Sequence, residues 1–169
     1  MSHRVKRFVI LAGAGAVLIL CALYIRVRAV DRQRVAHAVE EADQLIHGGR
    51  PNEAIRVLEH AVDVDPAFFE ARENLANLYI MTEKPGKGIA VLKEGAKLFP
   101  RDSRVYFALG SVHVTPPTQD YDKAIFYLKK GVRLRPRNLY ARRLLVYCYS
   151  RNDDIENARR EAAIVLKLD

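Results

Sequence analysis

Apolar positions along the chain fall into two regimes. The first is one unbroken run, Phe8 to Ile25, with no charged or strongly polar side chain. The second begins near residue 35. There apolar residues recur three and four positions apart, in Ala54-Ile55-Leu58-Ala61, Ile89-Leu92-Gly95 and Ala124-Ile125-Leu128-Gly131. That spacing places them on one face of an α-helix. Each stretch follows a turn signal: Gly48-Gly49-Arg50-Pro51-Asn52, Lys84-Pro85-Gly86-Lys87 or Thr115-Pro116-Pro117-Thr118. Each ends at a proline, Pro66, Pro100 or Pro136, and these prolines stand 34 and 36 residues apart. Another amphipathic stretch precedes each turn. The predicted unit is helix, short turn, helix, proline break. The proline ends the second helix because it cannot donate a backbone hydrogen bond and restricts the residue before it.

On these residues the chain resembles the tetratricopeptide repeat (TPR) family. That family sets a large apolar residue beside a small one, an aromatic four positions after the large one, then a small residue, an aromatic or leucine, another small residue and a proline. Repeat two carries the pattern at Leu75, Ala76, Tyr79, Gly88, Leu92, Gly95 and Pro100. Repeat three carries it at Leu109, Gly110, His113, Ala124, Leu128, Gly131 and Pro136. Repeat one has Ala42, Leu45, Ala54, Leu58, Ala61 and Pro66. Repeat four has Leu145, Val146, Tyr149, Ala158, Ala162 and Val165. The resemblance implies an all-α fold, a right-handed TPR superhelix of four helix-turn-helix repeats. Expected bounds are 35–68, 69–102, 103–138 and 139–169. Each hairpin buries its apolar face only against its neighbours. The two extra residues at Thr115–Asp120 should make the turn of repeat three protrude. Gly88 and Gly95, which lower helix propensity by roughly 1 kcal/mol each against Ala, suggest that repeat two is pliable.

The N-terminal run changes the picture. Eighteen helical residues reach roughly 27 Å, close to the thickness of a hydrocarbon core. Basic residues Arg4, Lys6 and Arg7 precede the run, and Arg26 and Arg28 follow it. The expectation is a single transmembrane helix over 8–25, a basic tail over 1–7 and a juxtamembrane helical stalk over 26–34. The resulting placement is a single-pass protein of a bacterial inner membrane. A cleaved signal peptide is the alternative. No glycine or proline interrupts the chain between Ala16 and Gly48, so one helix should run from the anchor into the first repeat.

Composition narrows the function. Lys and Arg number 28 against 20 Asp and Glu, which first suggests nucleic acid. Seven of the basic residues and only one acidic residue lie within 1–34, however, leaving a near-neutral body. Clusters such as Lys129-Lys130-Arg133-Arg135 belong to a body of small net charge and read as solvated helix faces, so no nucleic-acid partner is expected. Two cysteines, Cys21 and Cys148, cannot build a disulfide framework. No His, Cys or carboxylate spacing suits a metal, and no phosphate loop or nucleophile elbow is present. His113 occupies the family's aromatic core position, and Cys148 reads as a small buried hydrophobe. The chain is expected to be no enzyme and to need no cofactor.

The resemblance also implies a groove lined by the first helix of each repeat. The carried-over positions are Val39, Glu40 and Asp43 in repeat one, then Glu70, Glu73, Asn74 and Asn77. Arg104, Phe107 and Ser111 follow, and then Tyr140, Arg143 and Tyr147. This surface runs from acidic to basic and aromatic, which suits a peptide or helix of a partner protein. The family's two-carboxylate clamp is not expected, because Val39, Asp43, Glu73, Ala108 and Leu144 stand where it needs basic or amide side chains. The last helix ends in Ile164, Leu166 and Leu168 with no polar capping helix, which suggests self-association and a possible homo-oligomer. The leading expectation is a membrane-anchored adaptor or scaffold. The alternatives are a self-assembling structural protein and a non-catalytic subunit of an envelope complex.

Overall fold

The computed structural model of the chain describes residues 3–168, with side chains from residue 20 onward. Among the described residues there are eight helices and no strand. They are α1 (His3–His47), α2 (Pro51–Val64), α3 (Phe69–Met81) and α4 (Pro85–Leu98), then α5 (Ser103–Val112), α6 (Tyr121–Leu134), α7 (Leu139–Arg151) and α8 (Ile155–Leu168). Consecutive helices pair as hairpins, α1 with α2, α3 with α4, α5 with α6 and α7 with α8, and each hairpin packs on the next. The result is a helical solenoid. Pro66, Pro100 and Pro136 stand in the bends between hairpins.

Local chemistry sets the bends. Pro51 and Pro85 open α2 and α4, where a missing N–H costs nothing. Asp120 and Asn138 cap α6 and α7, accepting from the Lys123 and Ala141 amides at 3.0 and 2.8 Å. Inside three hairpins a single residue turns left-handed: Gly49 at φ 72°, Glu83 at φ 58° and Asp153 at φ 57°. The amide after each reaches back to close the preceding helix, on Leu45, Tyr79 and Tyr149 oxygens at 2.8, 2.7 and 2.9 Å. The long connection in repeat three takes a different form. There α5 stops at Val112, Thr115, Pro116 and Pro117 are exposed, and the loop is pinned by the Asp120 amide on the His113 carbonyl at 2.8 Å.

A second device recurs at the inter-hairpin bends. The carbonyl of each closing proline accepts a hydrogen bond from a side chain six residues later. Arg72 Nη2 donates to Pro66 at 3.2 Å, Tyr106 Oη to Pro100 at 3.0 Å and Arg142 Nε to Pro136 at 2.7 Å. Arg72 is only 2% exposed, and its other Nη also donates, to the Val91 carbonyl at 3.0 Å. Arg142 additionally pairs with Glu161 of α8. These side chains tie the start of one hairpin to the end of the previous one.

The core spans hairpin boundaries. One cluster joins Val35, Val39 and Ala42 of α1 to Leu58 of α2 and Leu75 and Tyr79 of α3. A second links Ala76, Leu92, Val105 and Leu109, and a third joins Leu128 of α6 to Leu145 and Cys148 of α7. Cys148 is fully buried, and burial pushes its thiol pKa up to about 11. His113 is buried and stacks on Tyr127 with ring centroids 5.9 Å apart. Val39, one of the groove positions carried over above, faces this core instead.

Two expectations are corrected. Gly88 and Gly95 are close-packing sites, not points of slack. A Cβ on Gly88 would lie 2.5 Å from the Ala76 carbonyl oxygen, and one on Gly95 would lie 2.7 Å from Cδ of Arg72. The transmembrane helix over 8–25 and the inner-membrane placement are also withdrawn. Among the described residues no helix is long and apolar enough to cross a membrane. Side chains of residues 8–19 lie outside those described. Past Ile25 the same helix carries Arg26, Arg28, Asp31, Arg32 and Arg34, which a bilayer core would not accommodate.

The packing yields a paired prediction. Gly88→Ala forces a methyl against fixed backbone and should lower stability by about 1–3 kcal/mol. Gly86→Ala, whose Cβ would meet nothing within 4 Å, should be neutral or stabilising by up to about 1 kcal/mol. Thermal unfolding followed by circular dichroism compares the two.

Candidate functional site

The largest sequence-predicted surface gathers on two adjacent helices. On α3, Glu70, Glu73, Asn74 and Asn77 share one face, because helical spacing brings positions three and four apart together. On α5, Arg104, Phe107 and Ser111 do the same. With Phe69, Ala108, Val112 and Tyr140 of α7, these residues line one open concavity of about 770 Å³. Eight of the thirteen groove residues carried over therefore meet in one place. The other five do not line it: Val39 is buried in the core, and Glu40 and Asp43 are exposed on α1. Tyr147 sits edge-on to Tyr121, centroids 6.0 Å apart, and Arg143 lines a small groove with Val146, Ala162, Val165 and Leu166.

The charge pattern of the concavity is more acidic than a list of its residues suggests. Arg104 is committed to Asp102, the residue that caps α5. Asp102 Oδ1 accepts from the Arg104 amide at 2.9 Å and from Nε at 3.0 Å, and Oδ2 accepts from Nη2 at 2.6 Å. The pair holds the Asp102 carboxyl below the usual carboxylate range. The guanidinium lies over the Phe69 ring, 4.8 Å from its centroid. Phe69 and Asp102 were not among the residues singled out from the sequence. Asp102, directly before a helix and two positions from an arginine, carried the readable signal of a cap that also holds that arginine.

Glu73 is half-buried between α3 and α5. Burial pushes its carboxyl above the usual range, and Glu70 adds to this while Arg104 opposes it. Asn74 is half-buried and Asn77 exposed, so two amides edge the same wall. Phe107 forms floor, being buried in the core cluster with Leu128 and Leu145. Tyr140 stands 61% exposed at the rim, its hydroxyl 3.5 Å from the Ser111 hydroxyl. The site therefore offers an aromatic floor, two amides able to donate and accept, and carboxylates whose charge Arg104 does not cancel. Among the described residues no group of three or more His, Cys, Asp or Glu side chains is placed to hold a metal ion.

At the C-terminal edge the apolar residues separate. Leu166 is 78% exposed, whereas Ile164 and Leu168 are half-buried and Val165 is buried. The three sequence-predicted residues thus do not form one open strip. Leu166 instead borders the small groove with Val146, Ala162 and Val165, of about 280 Å³.

Two family models, each described as tetratricopeptide repeat, match residues 45–110 and 103–138. The chain belongs to the tetratricopeptide repeat family. Repeats of this family are protein-interaction scaffolds, and that is the class of function the chain shares with them. A curated relative, the BBSome complex member BBS4 of Mus musculus, is 29% identical over 114 residues. The match takes in 68% of this chain but only 21% of that relative, so the chain spans about a fifth of its length. Among solved structures, MamA 41-end from Desulfovibrio magneticus RS-1 superposes with a TM-score of 0.63 at 21% identity, over 79% of this chain and 75% of that one. A crystal structure of MamA gives 0.64 at 23% identity, over 86% and 84% of the two chains. At these identities the likeness is one of fold.

The electrostatics of Glu73 predict a pH effect. Its folded-state pKa is raised, so its contribution to stability is full below the unfolded carboxylate value and is lost as pH rises through the folded value. Glu73→Gln should therefore unfold at a higher temperature than the parent at neutral pH. The difference should vanish below the ordinary carboxylate range, where Glu73 is protonated in both states. Thermal melts across pH 3–8 check both halves.

Proposed function

We propose that the chain is a non-enzymatic adaptor that captures an extended segment or helix of a partner protein in the α3–α5–α7 concavity. The observation that carries this reading is the convergence of Glu70, Glu73, Asn74, Asn77, Arg104, Phe107, Ser111 and Tyr140 in one open groove on the first helices of successive repeats. Amides at Asn74 and Asn77 suit a peptide backbone, which has both donors and acceptors to satisfy. The rings of Phe69, Phe107 and Tyr140 supply apolar area at low entropic cost. Because Arg104 is held by Asp102, Glu70 and Glu73 set the charge that a partner meets. The segment that fits carries Lys or Arg opposite α3. The energetic penalty already present at half-buried Glu73 is relieved when such a cation arrives, which favours the bound state. Membership of a multiprotein complex, which the name of BBS4 states for that relative, is consistent with this role.

A second reading rests on Leu166. Its exposure beside the Val146–Ala162–Val165 groove supports self-association through α8 or its packing against another subunit. The two readings separate by mutation. Glu70→Lys combined with Asn77→Ala changes two exposed groove residues and should leave the helical content intact. It should reduce partner capture from a native cell extract at least tenfold while leaving the oligomeric state unchanged. Leu166→Arg should leave capture unchanged and lower any self-association seen by light scattering. Undiminished capture by the groove variant would remove the first reading.

A further inference from the structure

One surface plays no part in the groove. On α1, ahead of the first repeat, Leu20, Leu23, Val27 and Val30 are 65%, 53%, 59% and 46% exposed. Their spacing is three, four and three, the a and d positions of a heptad. The same register falls in the sequence on Val9, Gly13 and Ala16, and turns polar after Val30, at Arg34 and His37. This strip faces away from the chain's own body. The body is met by Arg28, which contacts Asp65 at 3.4 Å, by Arg32 over the Phe68 ring, and by buried Val35, Val39 and Ala42. At 3.6 residues per turn those residues lie roughly 120° around the helix from the strip. The α1 contacts to its own domain therefore leave the strip uncovered.

We propose that this strip is the seam of a parallel two-stranded coiled coil formed with a second copy of the chain. The flanking charges choose the partner and its direction. With Val27 at a and Val30 at d, Arg26 falls at g and Asp31 at e. Both flank the same shallow groove with Val27, Val30 and Arg34. In a parallel, in-register pair the g residue of one helix meets the e residue five positions on in the other. Arg26 then meets Asp31 of the second copy twice, once on each side of the seam. An antiparallel pair that aligns the same four apolar positions would set Arg26 against Arg26 and leave Asp31 with no basic residue opposite it, so the charges favour the parallel arrangement. Arg34, a basic residue at the next a position, marks where the seam ends and holds it in register. Because α1 continues without interruption into repeat one, the pairing would present two groove-bearing domains side by side and raise avidity for a partner with two binding segments.

Site-directed cross-linking tests the seam in the full chain. Cys21→Ser removes the exposed thiol and leaves buried Cys148, which a mild oxidant does not reach. Single cysteines are then placed at Leu23→Cys and Val27→Cys in the seam, and at Ala29→Cys on another face. Intact cells are oxidised and the products sized on a non-reducing gel. A parallel seam brings each seam cysteine within disulfide range of its own counterpart, so the first two should give a band of twice the mass and Ala29→Cys should not. Asp31→Arg in the Val27→Cys chain should cut that band roughly tenfold, and adding Arg26→Asp should restore it. Equal cross-linking at all three positions would overturn the proposal. So would no cross-linking at Leu23→Cys and Val27→Cys when a maleimide labels both thiols, or failure of the charge swap to restore the band.

Discussion

Everything in this molecule depends on how closely its helices approach. Gly88 meets the Ala76 carbonyl, Gly95 the Arg72 side chain, Gly110 the Leu128 side chain and Gly131 the Phe107 ring, each at a distance that leaves no room for a methyl group. These contacts let the large residues, Leu75, Leu92, Leu109, Leu128 and Leu145, reach across into the adjacent hairpin. A single hairpin has one buried stripe and one face that still needs cover. The three core clusters run across hairpin boundaries for that reason, and the solenoid is stable as a stack of neighbours.

Stacking creates one backbone problem at each step. The chain must leave a helix at a proline, turn and start again, so the proline carbonyl loses its place in a helical ladder. Arg72, Tyr106 and Arg142 answer this at the same relative position with two different chemistries. The shared element is a donor at the end of a long side chain, not a residue type. A buried arginine is expensive unless its donors find acceptors. At Arg72 the carbonyls of Pro66 and Val91 take both terminal nitrogens and leave buried Nε without a hydrogen-bond partner among the described residues, so most but not all of the donors of this joint between hairpins are satisfied.

The same stacking makes the concavity. First helices of successive hairpins lie side by side, so their outward faces form a continuous wall with the aromatic rings at its base. Its chemistry follows from a local cap. Asp102 begins α5 by accepting the Arg104 amide, and the same carboxylate takes the guanidinium, so a helix-initiating residue also removes a cation from the wall. The acidic character left on α3 is therefore a consequence of how α5 starts. Gripping a basic segment and starting a helix are linked through one aspartate.

Much of this was legible in the residues alone. The helical period, the turn signals and three prolines at near-constant spacing determine a stack of helical hairpins, because few other arrangements satisfy all of them. The groove faces of α3, α5 and α7 could be carried over from the family resemblance, and eight residues assigned that way do converge. Tertiary structure decided the rest. Arg104 as a free cation and Val39 as a groove residue were reasonable readings of single positions. Their fates depend on Asp102 and on the α1–α2–α3 core, and pairing and burial belong to neighbours, not to spacing. The slack suggested by Gly88 and Gly95 became close packing for the same reason. Propensity describes a helix alone, whereas these glycines answer to the helix or side chain pressed against them. The apolar N-terminal run was read by length and hydropathy. In the described part of α1, charged residues and contacts to Asp65 and Phe68 follow within the same helix. Sequence thus determined which segments are helical and how they repeat, since those properties are local. Which side chains remain free to meet a partner was decided only when distant helices came within a few ångströms of one another.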